Sequence, residues 1–377
     1  MKNYLHALAI LSTQAMHLQD SEILHDVITH ATYKAATFPA YAHVITVPLN
    51  EVEISLVPAI GQRETVSALA RAGATIAVNG SNYRRGGNYN GNRVNLFYLD
   101  GKIYSDLQLT RGAFCWNSTI KTPAIDTVFL DIQLSIGHIP LSVTAVNQPR
   151  VTSQAVLYTD VADIALLAYT PGKNIVINKE RKVESISSAI PKTIPDGYLV
   201  YQIDTDALPE ISLGMPVNYE FTLRSAETEA TYNGCDFVLA GAGLLLKNGN
   251  LVADELYQEF SQGAPIVHCG DEIAADFITR KMQEWLIELR HPRTAIGITE
   301  YNEICIVTVD GRQEHSQGLS LKELAIFMQQ LGCIDALNIG GGGCTTLCID
   351  GKRINSPSAG QERPVSEALC LHILRNS

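Results

Sequence analysis

Short runs in which apolar and polar positions alternate recur along most of this chain, and they read as β-strands bounded by turn residues. Such runs fall at 43–47, 52–57, 75–78, 131–144, 174–177, 198–203 and 217–223. Asp100-Gly101, Asn248-Gly249 and Asp350-Gly351 follow or divide strand patterns, and these dipeptides suit the left-handed centre of a tight hairpin. Helical spacing is rarer. Ile23, Leu24, Val27, Ile28 and Ala31 recur with a period that predicts a helix capped by Asp20-Ser21. Thr65 caps a short helix over 66–71 that stops at Gly73. In 271–289, Ile273, Phe277, Ile278, Met282, Trp285, Leu286 and Leu289 share one face, which predicts a packed helix, with a lid over a site as the alternative. Ser320 and Glu323 form a capping box for a helix that buries Leu321, Leu324, Ala325 and Met328 and ends at Gly332. Residues 1–15 read as a further amphipathic helix, a secretory leader being the alternative.

These elements predict an α+β fold: a single compact domain with mixed β-sheets, many hairpins and a few packed helices. The expected division is an N-terminal helical extension over 1–41 and a main domain over 42–377, with a helical insertion near 271–290. No linker, low-complexity tract or repeat divides the main domain further.

Composition narrows the class. The 377 residues are 46% hydrophobic with a mean hydropathy of +0.05, enough for a sizeable core. No apolar run approaches the roughly 18 residues of a membrane span. A net charge of −11 without a basic stripe argues against a nucleic-acid polymer as partner. The eight cysteines include no Cys-x-x-Cys pair, so no zinc ribbon or thioredoxin motif is supported. Cys305, Cys348 and Cys370 sit in strand-like runs where a buried free thiol is the default, which points to a reducing, cytoplasmic compartment. Secretion is the alternative, and Asn117-Ser118-Thr119 is a formal glycosylation sequon.

One stretch changes the picture. Asn338-Ile339-Gly340-Gly341-Gly342-Gly343-Cys344 carries four consecutive glycines after the apolar strand 334–337. Glycine is costly to order, so such a run marks a close backbone approach or several residues of positive φ. Its amides suit a nest for anionic oxygens, the alternative being a flexible turn. The strand-turn-helix-strand series before it places it beyond a strand's carboxyl end, where open α/β sheets hold ligands.

The glycine stretch, the segment His291-Pro292-Arg293-Thr294-Ala295-Ile296-Gly297, and the elements Pro357-Ser358 and Glu362-Arg363-Pro364 together resemble the phosphodiester glycosidase family. That family's loop reads Asn-Leu-Asp-Gly-Gly-Gly-Ser, so Gly340 and Cys344 stand where it has aspartate and serine. The resemblance implies a hydrolase acting on a glycosyl phosphodiester, with a small-molecule or glycan substrate. No cofactor is called for and no metal is assigned, and nothing in the sequence bears on oligomeric state. The alternative is a protein that holds a sugar phosphate or nucleotide without cleaving it.

Such chemistry needs a phosphate holder, an acid, and a base or nucleophile. The planar guanidinium suits phosphate, so Arg293, Arg312, Arg363 and Arg150 are candidates, with Arg293 first because its motif is retained. The resemblance adds Asn79, Gly241, Thr294, Asn338, Gly341, Gly342, Gly343 and Ser358 as binding positions. The polar loop 84–93, with Arg84, Arg85 and Arg93, is either a cover for an oxygen-rich ligand or a solvated loop. Asp310, Glu362 and His291 are the acid and base candidates. Asp310 reads equally as a turn residue, Glu362 as an ion-pair partner, and His291 as a structural histidine. Cys344 is either a nucleophile activated by a nest of amides or a filler for serine.

Overall fold

The structure, a computed structural model, describes residues 15–59, 63–84, 91–207, 210–252, 255–261 and 280–374. Among these the fold is strand-rich α+β, with four sheets and few helices. The sheets are almost wholly antiparallel rather than mixed; Ala145–Val146 beside Val156–Tyr158 is the parallel pair among the described strands. The physical reason is connectivity. Tight hairpins join antiparallel strands, whereas parallel ones need long crossovers.

The eight-stranded sheet runs in the order Met16–Leu24, Ile28–Ala35, Tyr41–Pro48, Glu303–Val309, Arg293–Thr299, Cys333–Gly341, Leu244–Lys247 and Asn250–Leu251. Its strand Cys333–Gly341 is central, and the alternation of its side chains separates two cores. Leu337 and Ile339 face the five-stranded sheet that holds Ile76, Val78, Leu347 and Leu369. Ala336 faces the helix Leu321–Gln330, which buries Leu321, Leu324, Ala325 and Met328 as its spacing predicts. The capping box of that helix is formed, with Glu323 N donating to Ser320 Oγ at 3.1 Å and Ser320 N to Glu323 Oε2 at 2.9 Å. This packing fixes the strand end from which the glycines emerge.

The helix expected from Asp20 is instead a hairpin, Met16–Leu24 paired with Ile28–Ala35 around His25 and Asp26 at φ 50° and 63°. Its β-branched residues suit a pleated surface. Pairing with Tyr41–Pro48 extends the sheet, and that tertiary gain overrides the helical spacing. The three Asx-Gly turns all have both residues at positive φ, as the hairpin reading requires. The segment expected as one strand over 131–144 is Thr122–Ile136 and Ile139–Pro140, turned at Gly137. Of the helix expected over 271–289, Arg280–Glu288 is described; Ile273, Phe277, Ile278 and the Met282 side chain lie outside the described residues, as do residues 1–14. No described helix is long and apolar enough to cross a membrane. The seven described cysteines are free.

Candidate active site

The strand Cys333–Gly341 carries Gly340 and Gly341 as strand residues, and the chain then turns through Gly342–Cys344. Of the four glycines only Gly342 has a left-handed φ, 64°. Gly340 and Gly341 are held to glycine by close approach to backbone oxygens, whereas at Gly343 the tip of a flexible side chain would have to move. A Cβ at Gly341 would lie 2.7 Å from Pro292 O, and one at Gly343 would overlap the Arg363 guanidinium. At Gly340 it would lie 2.7 Å from both Asn79 Nδ2 and Gly80 O. The nest reading is corrected in part, because the Gly342 amide already donates to Pro292 O at 2.8 Å.

The turn forms one wall of a cavity of about 170 Å³, lined also by Asn338, His291, Arg293, Arg312, Arg363 and Cys344. Asn82, Tyr83, Ala242, Trp285 and Leu286 complete the lining. No carboxylate is among these residues. Three arginines therefore meet in a cleft whose lining carries no negative charge.

They are not equivalent. Arg293 is 2% exposed, and its guanidinium donates to Leu319 O at 2.9 Å, Leu286 O at 2.7 Å and Leu289 O at 3.1 Å. It caps the carboxyl end of the helix Arg280–Glu288, where a cation offsets unpaired carbonyls. Burial first, then the nearby Arg312, lowers its pKa to about 9, which leaves it charged at neutral pH. Arg312 and Arg363 instead flank the turn. A Cβ at Gly342 would lie 3.5 Å from Arg312 Nη1, and Arg363 Nη1 stands 3.9 Å from Cys344 Sγ.

His291 orients Arg312. Its Nε2 bonds Trp285 O at 3.0 Å, which makes that nitrogen the donor, so Nδ1 accepts from Arg312 Nη2 at 3.2 Å. Burial, then Arg293 and Arg312, lowers its pKa to about 4, so the ring is neutral. The Trp285 ring packs 4.2 Å from it, centroid to centroid, and keeps 36% of its surface exposed. Tyr83 Oη donates to Pro364 O at 2.6 Å and lies 3.4 Å from Cys344 Sγ, and burial holds its phenol protonated. Asn338 is 1% exposed; its Nδ2 donates to Ala242 O at 2.8 Å, and its Oδ1 has no partner among the described residues.

The remaining expected site residues fall elsewhere. Asn79 stands behind the turn, accepting at Oδ1 from Thr294 Oγ1 at 2.7 Å and from Thr346 N at 3.2 Å, so Asn79 and Thr294 support the wall. Gly241 also lies behind it, since a Cβ there would be 2.6 Å from Asn338 O. Arg150 does not reach the cleft. It is fully buried in an ion pair with Asp204 and donates to Pro171 O at 2.7 Å. Asp310 lines a different cavity, its Oδ1 accepting from Ser356 N at 3.0 Å and Asn355 Nδ2 at 3.2 Å. Glu362 accepts from Ser67 N at 3.0 Å, and neither it nor Ser358 is in the lining. Arg84 and Arg93 turn inward, to Gln148 at 3.2 Å and to buried Glu367 at 2.7 Å, while 85–90 lie outside the described residues.

Sequence reasoning missed Tyr83 and Trp285 as lining residues. Trp285 belongs to an apolar helical stripe, and nothing local separates a stripe aromatic that packs from one that borders a cleft. For Tyr83, its place just after Asn79-Gly80 was the available signal.

Fold and cleft define a strand-rich α+β protein with a glycine-walled pocket lined by three arginines. The phosphodiester glycosidase family model matches residues 171–372, and the chain belongs to that family. Among similar proteins, an uncharacterised SPbeta prophage-derived protein of Bacillus subtilis, YomE, is 36% identical over 94 residues, 25% of this chain and 15% of that protein. The mouse N-acetylglucosamine-1-phosphodiester alpha-N-acetylglucosaminidase is 25% identical over 142 residues, 36% of this chain and 25% of that protein. The chain thus aligns with a quarter or less of the length of either relative. A solved hypothetical protein from Synechocystis shares the fold with a TM-score of 0.72 at 17% identity, over 94% of this chain and 64% of the other. A putative exported protein from Burkholderia pseudomallei does so at 0.71 and 21%, over 89% and 74%.

Proposed function

We propose that this protein hydrolyses a glycosyl phosphodiester in the glycine-walled cleft. The carrying observation is the pair Arg312 and Arg363 on either side of the turn, in a lining without carboxylates. Two guanidiniums suit a phosphodiester, which presents a single negative charge over two free oxygens. Asn338 Oδ1, buried and without a partner among the described residues, calls for a donor on the ligand, and a sugar hydroxyl or acetamido N–H supplies one. Trp285 offers an apolar face for a sugar ring beside them.

In the reaction, water oxygen bonds to the anomeric carbon and the carbon–oxygen bond to phosphate breaks. The electron pair leaves on a phosphate monoester, held by Arg312 and Arg363 as its charge grows from one to two. A phosphate monoester with a second pKa of about 6 is itself a base at neutral pH and takes the proton from the water. That route replaces the carboxylate that Gly340 does not supply. Family membership and the activity for which the mouse relative is named support N-acetylglucosamine as the sugar to try first. The test is incubation of the full chain with an alkyl phosphodiester of N-acetylglucosamine 1-phosphate. Release of free sugar and alkyl phosphate in equal amounts is expected. Binding by calorimetry without release would instead make the protein a sugar-phosphate binder.

A further inference from the structure

Asp310 and Arg312 belong to one loop but face different cavities. The Asp310 cavity is the wider, about 660 Å³, and nothing in the proposed reaction uses it. Its wall brings together Lys34, Tyr41, His43, Asp310, His315 and Arg353 from three separate parts of the chain.

Its charge is unbalanced. Lys34 and Arg353 are exposed and make no ion pair with a described residue. Lys34 Nζ instead stands 5.8 Å from the Tyr41 ring centroid. The one carboxylate of the wall is already held by three donors, Ser356 N at 3.0 Å, Asn355 Nδ2 at 3.2 Å and His315 Nε2 at 3.1 Å. Two cations without an ion pair among the described residues, on a chain of net charge −11, form a local positive site that small anions meet.

A hydrogen-bonded chain sets what the deep wall presents. The Glu22 carboxylate accepts from His30 Nδ1 at 2.9 Å, and His30 Nε2 lies 3.1 Å from His43 Nδ1. With His30 Nε2 as the acceptor of this pair, His43 Nδ1 is the donor, which leaves a lone pair on His43 Nε2. His43 is 6% exposed and neutral, burial having lowered its pKa to about 4. The cavity wall therefore combines two exposed cations with a buried acceptor atom.

We propose that this cavity is a second ligand site, for a small organic anion with a hydroxyl close to its charged group, either a sugar phosphate or a hydroxy acid. Lys34 and Arg353 hold the anion and His43 Nε2 accepts from the hydroxyl.

The test is calorimetric titration of the full chain carrying Arg363→Ala, which weakens the cleft and leaves the second cavity intact, with glucose 1-phosphate and with gluconate as probes. Saturable binding is expected to persist in that background and to weaken about tenfold or more when Lys34→Ala and Arg353→Ala are added. Both side chains are exposed, so the variant is expected to keep the parent melting temperature. Binding of both probes identifies the shared anion-and-hydroxyl chemistry, and binding of glucose 1-phosphate alone assigns the site to phosphates. Methyl phosphate, which lacks the hydroxyl, is expected to bind more weakly than glucose 1-phosphate, and His43→Phe is expected to remove that preference. No binding in the Arg363→Ala background, binding indifferent to Lys34 and Arg353, or a preference untouched by His43→Phe would each overturn the assignment. Phosphodiester turnover by the Lys34→Ala, Arg353→Ala protein with Arg363 intact is read separately, so the second site and the proposed reaction can fail independently.

Discussion

Restoring the family's aspartate at Gly340 is the substitution that most directly probes the departure of this chain from its relatives. On sequence grounds Gly340→Asp costs only the strain of a side chain at positive φ, about 1–2 kcal/mol. The structure removes that term and supplies a larger one. Gly340 is an extended strand residue opposite Thr294, and a Cβ there would lie 2.7 Å from Asn79 Nδ2 and from Gly80 O. Asn79 cannot simply turn away, because its amide donates to Gly80 O at 3.0 Å and accepts from Thr294 Oγ1 at 2.7 Å and Thr346 N at 3.2 Å. Overpacking of this kind costs about 1–3 kcal/mol. Losing two of the Asn79 hydrogen bonds adds about 1 kcal/mol each. The expected destabilisation is roughly 3–5 kcal/mol, read as a lower denaturation midpoint at unchanged slope. Gly340→Ala isolates the Cβ contribution, and Asn79→Gly combined with Gly340→Asp tests the coupling in a double-mutant cycle. A Gly340→Ala change within about 0.5 kcal/mol of the parent would show that Asn79 and Gly80 yield easily, and would refute the packing argument.

Three further outcomes follow from the same geometry. Arg312→Ala or Arg363→Ala should each weaken sugar-phosphate binding by about 1.5–3 kcal/mol in calorimetry, whereas Arg293→Ala should leave affinity in the folded fraction nearly unchanged and cost roughly 3 kcal/mol or more of stability, its three carbonyls losing their donor. His43 and His291, each lowered to about 4, bind fewer protons folded than unfolded, so stability should fall as pH drops from about 6.5 towards 4; each contributes up to about 3 kcal/mol, and His291→Gln should flatten the slope in pH-dependent denaturation. Trp285→Ala should weaken glucose 1-phosphate binding while leaving inorganic phosphate unaffected, and an equal loss for both would show that Trp285 supports the arginines rather than the sugar.

Much of the local structure was legible without coordinates. Asx-Gly pairs announce hairpins because only such residues accept two successive left-handed conformations cheaply, and all three turns obey. The Ser320 capping box and its apolar stripe specify a helix and the face it buries. Of the candidates named from the glycine run and its flanking segments, His291, Arg312, Asn338, Cys344 and Arg363 line one cavity with it. The hairpin at Met16–Leu24 was not legible, since helical spacing there is overruled by an edge strand waiting to be paired. Nor could the sequence say that Arg293 was already committed. Its retained motif ranks Arg293 first, but the helix Arg280–Glu288 ends with its carbonyls over that guanidinium, which is spent before a ligand arrives. Asp310 and Arg312 are two residues apart and face different cavities, because the loop between them reverses at Gly311 and Arg312, whose φ is 59°. Local rules determine what a residue is able to do; the hydrogen bonds it has already made, which only the packed chain decides, determine what it has left to offer.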